Sequence, residues 1–377
     1  MSDRFDRLSD FLDAKAPKLG VSGVDMVIYQ DHKEIYRHAA GYQDLEYRTS
    51  MDPNALYNIY SASKVITCAA ALQLLERGKL LLQDPVAAYL PEFEYMQVKS
   101  GTYCITPARR AIRVIDLLTM TAGLSYELDT PAMRNLREAT GGVFTTRDFV
   151  RALAKEPLLF EPGESWNYSY CHDVLGALIE VVSGMRFGAY LKENIFDPLG
   201  MVDTGFSIPE EKRARLAPQY QHDRTAGTTV RIASDCQGAA GKGHESGGGG
   251  LISTVADYIK FADAMACGGE GQNGARILSA RTIDLMRRNR LTGSCMDSFQ
   301  KMACNPGIGY GLGVGTITDS AASCSLLPEG SFYWGGIGGV QNLFDPKNRL
   351  SFFVAQHTMN SPKELLSPYI WNILYAD

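Results

Sequence analysis

The chain has 377 residues, 45% apolar and 21% charged, with a formal net charge of -5 and a pI near 5.8. Such a composition folds throughout, and this length predicts about two domains or one large two-part domain. The balance is acidic and no Lys/Arg run stands out, which excludes a phosphate-backbone footprint, so nucleic acid is not an expected partner.

Met1 to Leu12 mixes charge with apolar residues at helical spacing and lacks the apolar core of a secretory signal. Val24 to Tyr29 and Glu34 to Ala39 flank Gln30-Asp31-His32-Lys33, whose turn composition predicts a β-hairpin. From Ala62 to Arg77 apolar residues cover most of a helix surface, with Gly78 at the C-terminal cap position. That helix must be buried nearly all round. Helical patterns follow at Ile112 to Met120, Thr146 to Lys155, Asp173 to Ser183 and Ser253 to Met265, between Gly- and Pro-rich connections. Strand patterns return at Phe332 to Leu343 and Leu350 to Gln356, and a helical stretch from Leu365 to Leu374 closes the chain.

Strands at both ends with helices between predict an α+β fold: an antiparallel sheet built from both chain termini, flanked by helices, with an inserted mostly helical region. On this reading residues 1–85 and 295–377 form the sheet domain, residues 86–294 the insert, and the active site lies at their junction. No stretch approaches the roughly 18 apolar residues of a membrane span, so a cytoplasmic protein with no membrane partner is expected. Eight scattered cysteines without a Cys-x-x-Cys pair predict reduced, mostly buried thiols.

Two Ser-x-x-Lys patterns occur, and one match is expected by chance in a chain of this length. Ser298-Phe299-Gln300-Lys301 falls in a polar stretch without helical periodicity, so no fixed relation between its serine and lysine is expected. Ser61-Ala62-Ser63-Lys64 heads the buried helix, where unpaired N–H groups favour negative charge on a serine oxygen. Lys64 is then on the same face, within reach of Ser61, and desolvation there disfavours its ammonium form. The plainer alternative is an N-cap serine followed by a snorkelling surface lysine. Tyr168 follows the Pro162-Gly163 turn in an aromatic cluster; it is either a proton relay beside Lys64 or a packed core tyrosine. Tyr333-Trp334-Gly335-Gly336-Ile337-Gly338-Gly339 is glycine-rich for a strand, which suits either close approach to a ligand or a packing bulge.

In order, these segments resemble the serine β-lactamase and penicillin-binding superfamily, particularly class C β-lactamases and family VIII carboxylesterases. Ile59 to Lys64, Leu75 to Leu80 through Phe93, Ile115 to Leu124, Pro162 to Gly184, and Gly249 to Thr254 carry the resemblance across almost the whole chain. It implies that Ser61 is the acylated nucleophile, Lys64 and Tyr168 are its proton-transfer partners with either as acylation base, and Ser61 and Ile337 N–H groups form the oxyanion hole. It also implies substrate contacts at Tyr170, Trp334, Gly335 and Gly336. Two departures from β-lactamases stand out: Tyr168-Ser169-Tyr170 lacks the Asn of Tyr-x-Asn, and Trp334-Gly335-Gly336 replaces a cation-containing third motif. This Trp-Gly-Gly is similar to the motif of the esterases and related acyltransferases.

The expected function is therefore a serine hydrolase, a carboxylesterase for small or medium acyl esters. An acyltransferase, a β-lactamase or D-alanyl peptidase, and an inactive scaffold on the same fold are the alternatives. No cofactor is expected, and no metal, because the six histidines show no metal-ligand spacing. The expected partner is a small-molecule ester or amide, and a homo-oligomer is left open.

Overall fold

The computed structural model describes residues 3–15, 17–101, 104–233 and 243–376. Strands β1 (Gly23–Gln30) and β2 (Lys33–Asp44) form the expected hairpin, which turns on Asp31 and His32 in the left-handed region. A short β3 (Thr49–Ser50) follows. The sheet resumes near the other end of the chain with β4 (Ile308–Tyr310), β5 (Gly315–Ile317), β6 (Phe332–Gly335), β7 (Gln341–Asp345) and β8 (Leu350–Gln356). These make one eight-stranded antiparallel sheet in the order β4-β5-β6-β7-β8-β1-β2-β3. The two ends of the chain meet where β1 pairs with β8, from Val24 opposite Gln356 to Gln30 opposite Leu350. Every residue of β8 is buried, as befits a strand covered on both faces.

Helices α1 (Asp3–Lys15), α2 (Ser63–Glu76), α3 (Cys171–Ser183), α4 (Val255–Ala266), α5 (Gly293–Ala303) and α6 (Lys363–Leu374) position the site. The first and last of these pack together, with Phe11 stacked on Tyr369. Tyr258 of α4 stacks on Phe353 of β8 at 4.2 Å, so α4 is bound to the sheet although it lies in the stretch expected to be inserted. In α2 every residue from Ser63 to Leu74 is buried, which is why its sequence shows no polar face.

Two expectations are corrected. Phe332 to Leu343 is not one strand but the two arms β6 and β7, joined by Gly336 to Val340. Glycine makes this turn possible, since Gly339 adopts φ 98° and the Gly336 N–H closes onto the Val340 carbonyl. The Ser298 region is helical, within α5, because Cys295 and Phe299 one turn apart are its only buried side chains and a polar majority masks the period. Sequence analysis also missed the helices Pro131–Thr140 and Ala280–Arg287.

Among the described residues no disulfide occurs; Cys68, Cys171, Cys267 and Cys295 are buried and Cys104, Cys304 and Cys324 exposed, while Cys236 lies outside them. No single helix among them is long and apolar enough to cross a membrane.

Candidate active site

The backbone reaches Ser61 through Tyr57–Asn58, which pairs with Ile252–Ser253, and then through Tyr60 held at φ 46°. A non-glycine residue in that region is held there by its surroundings; here the Tyr60 hydroxyl donates to Gln219 Oε1 at 2.7 Å. A short 3₁₀ turn, Tyr60–Ala62, carries Ser61 into α2.

Lys64 is fully buried beneath it. Its Nζ donates to the Gly248 carbonyl at 2.5 Å and to Ser61 Oγ at 3.3 Å. Burial alone would depress its pKa, but the phenols of Tyr168 and Tyr126 and the carboxylate of Asp173 outweigh burial and hold it above the ordinary lysine value. This is opposite to the direction expected from desolvation, and it keeps Lys64 an ammonium.

Tyr168 Oη lies 2.5 Å from Ser61 Oγ, and the Lys64 ammonium sits 4.5 Å from its ring centroid. The loop presenting it is fixed by Asn167, whose N–H donates to the Met120 carbonyl and whose amide donates to the Leu124 carbonyl, each at 3.0 Å. Trp166 anchors the same loop edge-on to Phe299 and Tyr310.

On the far side, β6 runs close to the nucleophile. A Cβ on Gly336 would fall 2.4 Å from the Ile59 carbonyl oxygen, so only glycine allows this approach. The following N–H, that of Ile337, has no hydrogen-bond partner among the described residues. Trp334 stacks on Tyr168 at 5.9 Å and meets Tyr310 edge-on at 5.3 Å. Its N–H donates to Asn342 Oδ1, Asn342 donates to the Tyr258 hydroxyl, and Tyr258 donates to the Ala62 carbonyl. This buried chain of hydrogen bonds ties β6 to the start of α2.

The Beta-lactamase family profile matches residues 6–374. The chain belongs to the Beta-lactamase family. It is 33% identical over 351 residues to an uncharacterized protein of Mycobacterium tuberculosis, covering 89% of this chain and 86% of that one. It is 28% identical over 375 residues to Esterase EstB of Burkholderia gladioli, covering 93% of this chain and 90% of that one. Among solved structures it is similar to EstCE1, described as a hydrolase with promiscuous acyltransferase activity. That match has a TM-score of 0.81 and 26% identity, and covers 99% of this chain and 98% of the other.

In this Beta-lactamase family member Ser61 opens onto a cavity of about 600 Å³, whose walls include Tyr126, Tyr168, Trp334, Gly335 and Ile337. Among the described residues no charged side chain lines it. Tyr170, expected at the substrate, is instead buried behind the wall with its ring stacked on Tyr126 at 4.5 Å; Tyr126 is the residue that reaches the cavity. Tyr126 escaped sequence analysis because it belongs to no motif.

Asp173 escaped for a related reason, since its sequence context marks only the start of a helix. It is buried and accepts from Ser246 Oγ at 2.6 Å and His244 Nε2 at 3.2 Å, while its Oδ2 has no hydrogen-bond partner among the described residues. Burial pushes its pKa up, but His244, Lys64 and Ser246 together bring it below the usual carboxylate value. A Cβ on Gly248 would lie 2.4 Å from that Oδ2 and 3.3 Å from Lys64 Nζ, so glycine lets the chain pass between the two charges. Within the glycine run from Gly247 to Gly250 this is the part of Gly248, while Gly247 admits the His172 carbonyl, which a Cβ there would meet at 2.3 Å. His172, next to Asp173, is driven by burial and by Lys64 down to about 3 and is neutral.

Ser298, the rival serine, donates to the Ser294 carbonyl and accepts from the Trp166 N–H, and Lys301 is exposed. It is a scaffold group for the Tyr168 loop. One set of potential metal ligands exists among the described residues: His32, Asp263 and Cys267, with ligand atoms within 4.8 Å of one another. His32 already pairs with Asp263 at 2.7 Å, and the Arg349 guanidinium lies 3.1 Å from its other ring nitrogen, a cation where a metal would need none.

Proposed function

We propose that this protein is a carboxylesterase that forms an acyl-enzyme on Ser61 and acts on esters with small or medium acyl groups. The observation that carries the reading is the contact of Ser61 Oγ with both Tyr168 Oη and Lys64 Nζ at the floor of an uncharged cavity. Tyr168 acts as the base in its phenolate form, and the buried Lys64 ammonium, 4.5 Å from its ring, is the counter-charge beside it. The phenolate takes the Ser61 proton and Oγ attacks the ester carbonyl. The resulting oxyanion lies between the Ser61 and Ile337 N–H groups, and Tyr168 returns the proton to the departing alkoxide. Water then repeats the sequence on the acyl-enzyme, releasing the acid and restoring Ser61.

EstB, an esterase to which this chain is similar over nearly its whole length, supports the reading. The acyltransferase alternative draws on EstCE1, and differs only in that an acceptor alcohol replaces water in the second half. A β-lactamase or D-alanyl peptidase role is disfavoured because no cation among the described residues lines the cavity to meet a substrate carboxylate. An inactive scaffold is disfavoured by the contact of all three proton-transfer groups. We place the enzyme in the cytoplasm with a small-molecule ester as its partner.

A panel of p-nitrophenyl esters, nitrocefin and a D-Ala-D-Ala peptide, run on wild type and Ser61→Ala, tests this. Ester turnover lost in Ser61→Ala is expected. Nitrocefin turnover equal to or above that of p-nitrophenyl butyrate would hand the function to the β-lactamase reading.

A further inference from the structure

Beyond the reacting atoms the cavity extends into a far arm between α5 and α6, walled by Phe299 and Met302 on one side and by Pro368 and Trp371 on the other. Met302 is 49% exposed, Pro368 is exposed too, and so, at 57%, is Ile337 of the β6–β7 turn, which lines the same cavity. Single exposed apolar side chains are ordinary, but three from separate elements on the wall of one cavity mark a surface that a ligand covers. The polar groups of the arm are already engaged. Asn305 Nδ2 donates to the Ser323 carbonyl at 3.1 Å and its Oδ1 accepts from the Gly307 N–H at 3.0 Å, while the Ser367 hydroxyl donates to Gln341 Oε1 at 2.6 Å. Asn342 likewise accepts from the Trp334 N–H and donates to the Tyr258 hydroxyl. Gln341 Nε2 and Trp371 Nε1 lie beneath the surface, out of a ligand's reach.

Water held in such an arm would find few of the polar partners it needs, whereas a hydrocarbon chain loses nothing there and gains apolar contact. We infer that the far arm is a subsite for an unsubstituted hydrocarbon chain of the ester, longer than butyl, gripped by Met302 and Pro368. Resting on the esterase reading of Ser61, this places the preferred substrate at the medium-chain end of its range, with the chain on either the acyl or the alcohol side. A hydroxyl, ether or charged group along that chain would be stripped of water without a replacement partner, and is selected against.

The test lengthens each side in turn, with p-nitrophenyl esters from acetate to decanoate for the acyl side and alkyl acetates from methyl to octyl for the alcohol side. In wild type one series is expected to rise in kcat/KM by about twofold to fourfold for each methylene beyond butyl, the worth of burying one. Met302→Asp and Pro368→Asp, both at exposed positions, are each expected to cut the long-to-short ratio of that series by about fourfold to fifteenfold, the contact of one or two methylenes. An ether oxygen in place of one methylene of the long chain should lower kcat/KM. Thermal melting checks that both variants fold. A level profile in both series, an unchanged ratio in either variant, or an ether chain as good as the all-carbon one overturns the subsite. If no ester is turned over, the esterase reading fails on its own. Calorimetry with straight-chain methyl ketones then decides the subsite: affinity that climbs with chain length in wild type and less steeply in Met302→Asp supports it, and affinity independent of length, or climbing equally in the variant, overturns it.

Discussion

Replacing Gly336 by alanine tests the oxyanion geometry more sharply than removal of any side chain. Gly336 does not occupy the left-handed region, so alanine meets no conformational obstacle there and the perturbation is purely one of space. The new Cβ would lie 2.4 Å from the Ile59 carbonyl oxygen and 3.3 Å from Tyr60 Cβ, and contacts under 3.0 Å are essentially never made. Either β6 or the Ile59–Tyr60 backbone must retreat by about 0.6 Å. Tyr60 has little freedom to yield because its own backbone is already held at φ 46°. The strand is therefore expected to move, taking the Ile337 N–H with it. Misplacement on the order of 1 Å at a catalytic group costs about 10²-fold, and loss of one oxyanion donor about 10² to 10³. A fall in kcat of about 10² with little change in KM is expected, since the donor matters most to the tetrahedral state. Gly338→Ala is the control, because its Cβ would come no nearer than 3.1 Å to any atom, that of Tyr60 Cε2, which asks for a shift of only tenths of an ångström. The assay is steady-state hydrolysis of p-nitrophenyl butyrate with thermal melts of both variants. A folded Gly336→Ala enzyme with kcat within about threefold of wild type would remove Ile337 from the mechanism.

A fluorophosphonate probe is expected to label Ser61 alone, and peptide mapping that finds the label on Ser298, or finds it still in Ser61→Ala, counts against the assignment. Lys64→Ala and Tyr168→Phe should each lower kcat by about 10² or more, with the double variant little worse than either; near-normal turnover by folded Tyr168→Phe makes Tyr168 a packing residue. Trp334→Lys supplies the missing cation, and a charge-assisted hydrogen bond of about 1.5–3 kcal/mol should raise nitrocefin kcat/KM by about one to two orders of magnitude. Its ester activity should drop because the indole no longer stacks on Tyr168; unchanged ratios show that Trp334 does not set substrate class. Asp173→Asn removes a negative charge that holds Lys64 up, so the Lys64 pKa falls. With the ammonium as the active form, the alkaline limb of the kcat/KM profile should move to lower pH, and an unmoved limb would exclude Asp173 from tuning the site.

The parts of the site that could be read from sequence were local. Ser61 and Lys64 sit three residues apart on a helix whose all-round apolar pattern announces its burial, and the glycines after Trp334 announce a close approach. Tyr168 was readable only as a member of an ordered series of segments. The rest depends on contacts between distant segments. Asp173 acquires its meaning from Lys64, Ser246 and His244, and Tyr126 from the cavity it walls, and none of these relations has a spacing to betray it. The polar surface of α5 hid a helix whose Phe299 and Met302 face the cavity. The middle of the sheet, by contrast, was legible because alternating and buried strand patterns stand at both ends of the chain, whereas β3, β4 and β5, of two or three residues each, are too short to show one.

The pairing of β1 with β8 also sets the order in which the enzyme becomes competent. Ser61, Lys64 and Tyr168 are all synthesised before residue 170, whereas Trp334, Ile337 and Gln341 follow more than 150 residues later. A growing chain thus carries its nucleophile and proton-transfer groups long before it owns the second oxyanion donor, that of Ile337, or the β6 and β7 side of the cavity wall. Closing a sheet between the two ends of a chain is slow, because contacts so distant in sequence form late. Hydrolytic power should accordingly arrive in one step, when β8 docks on β1, and ester turnover followed during refolding should lag behind helix formation and coincide with completion of the sheet.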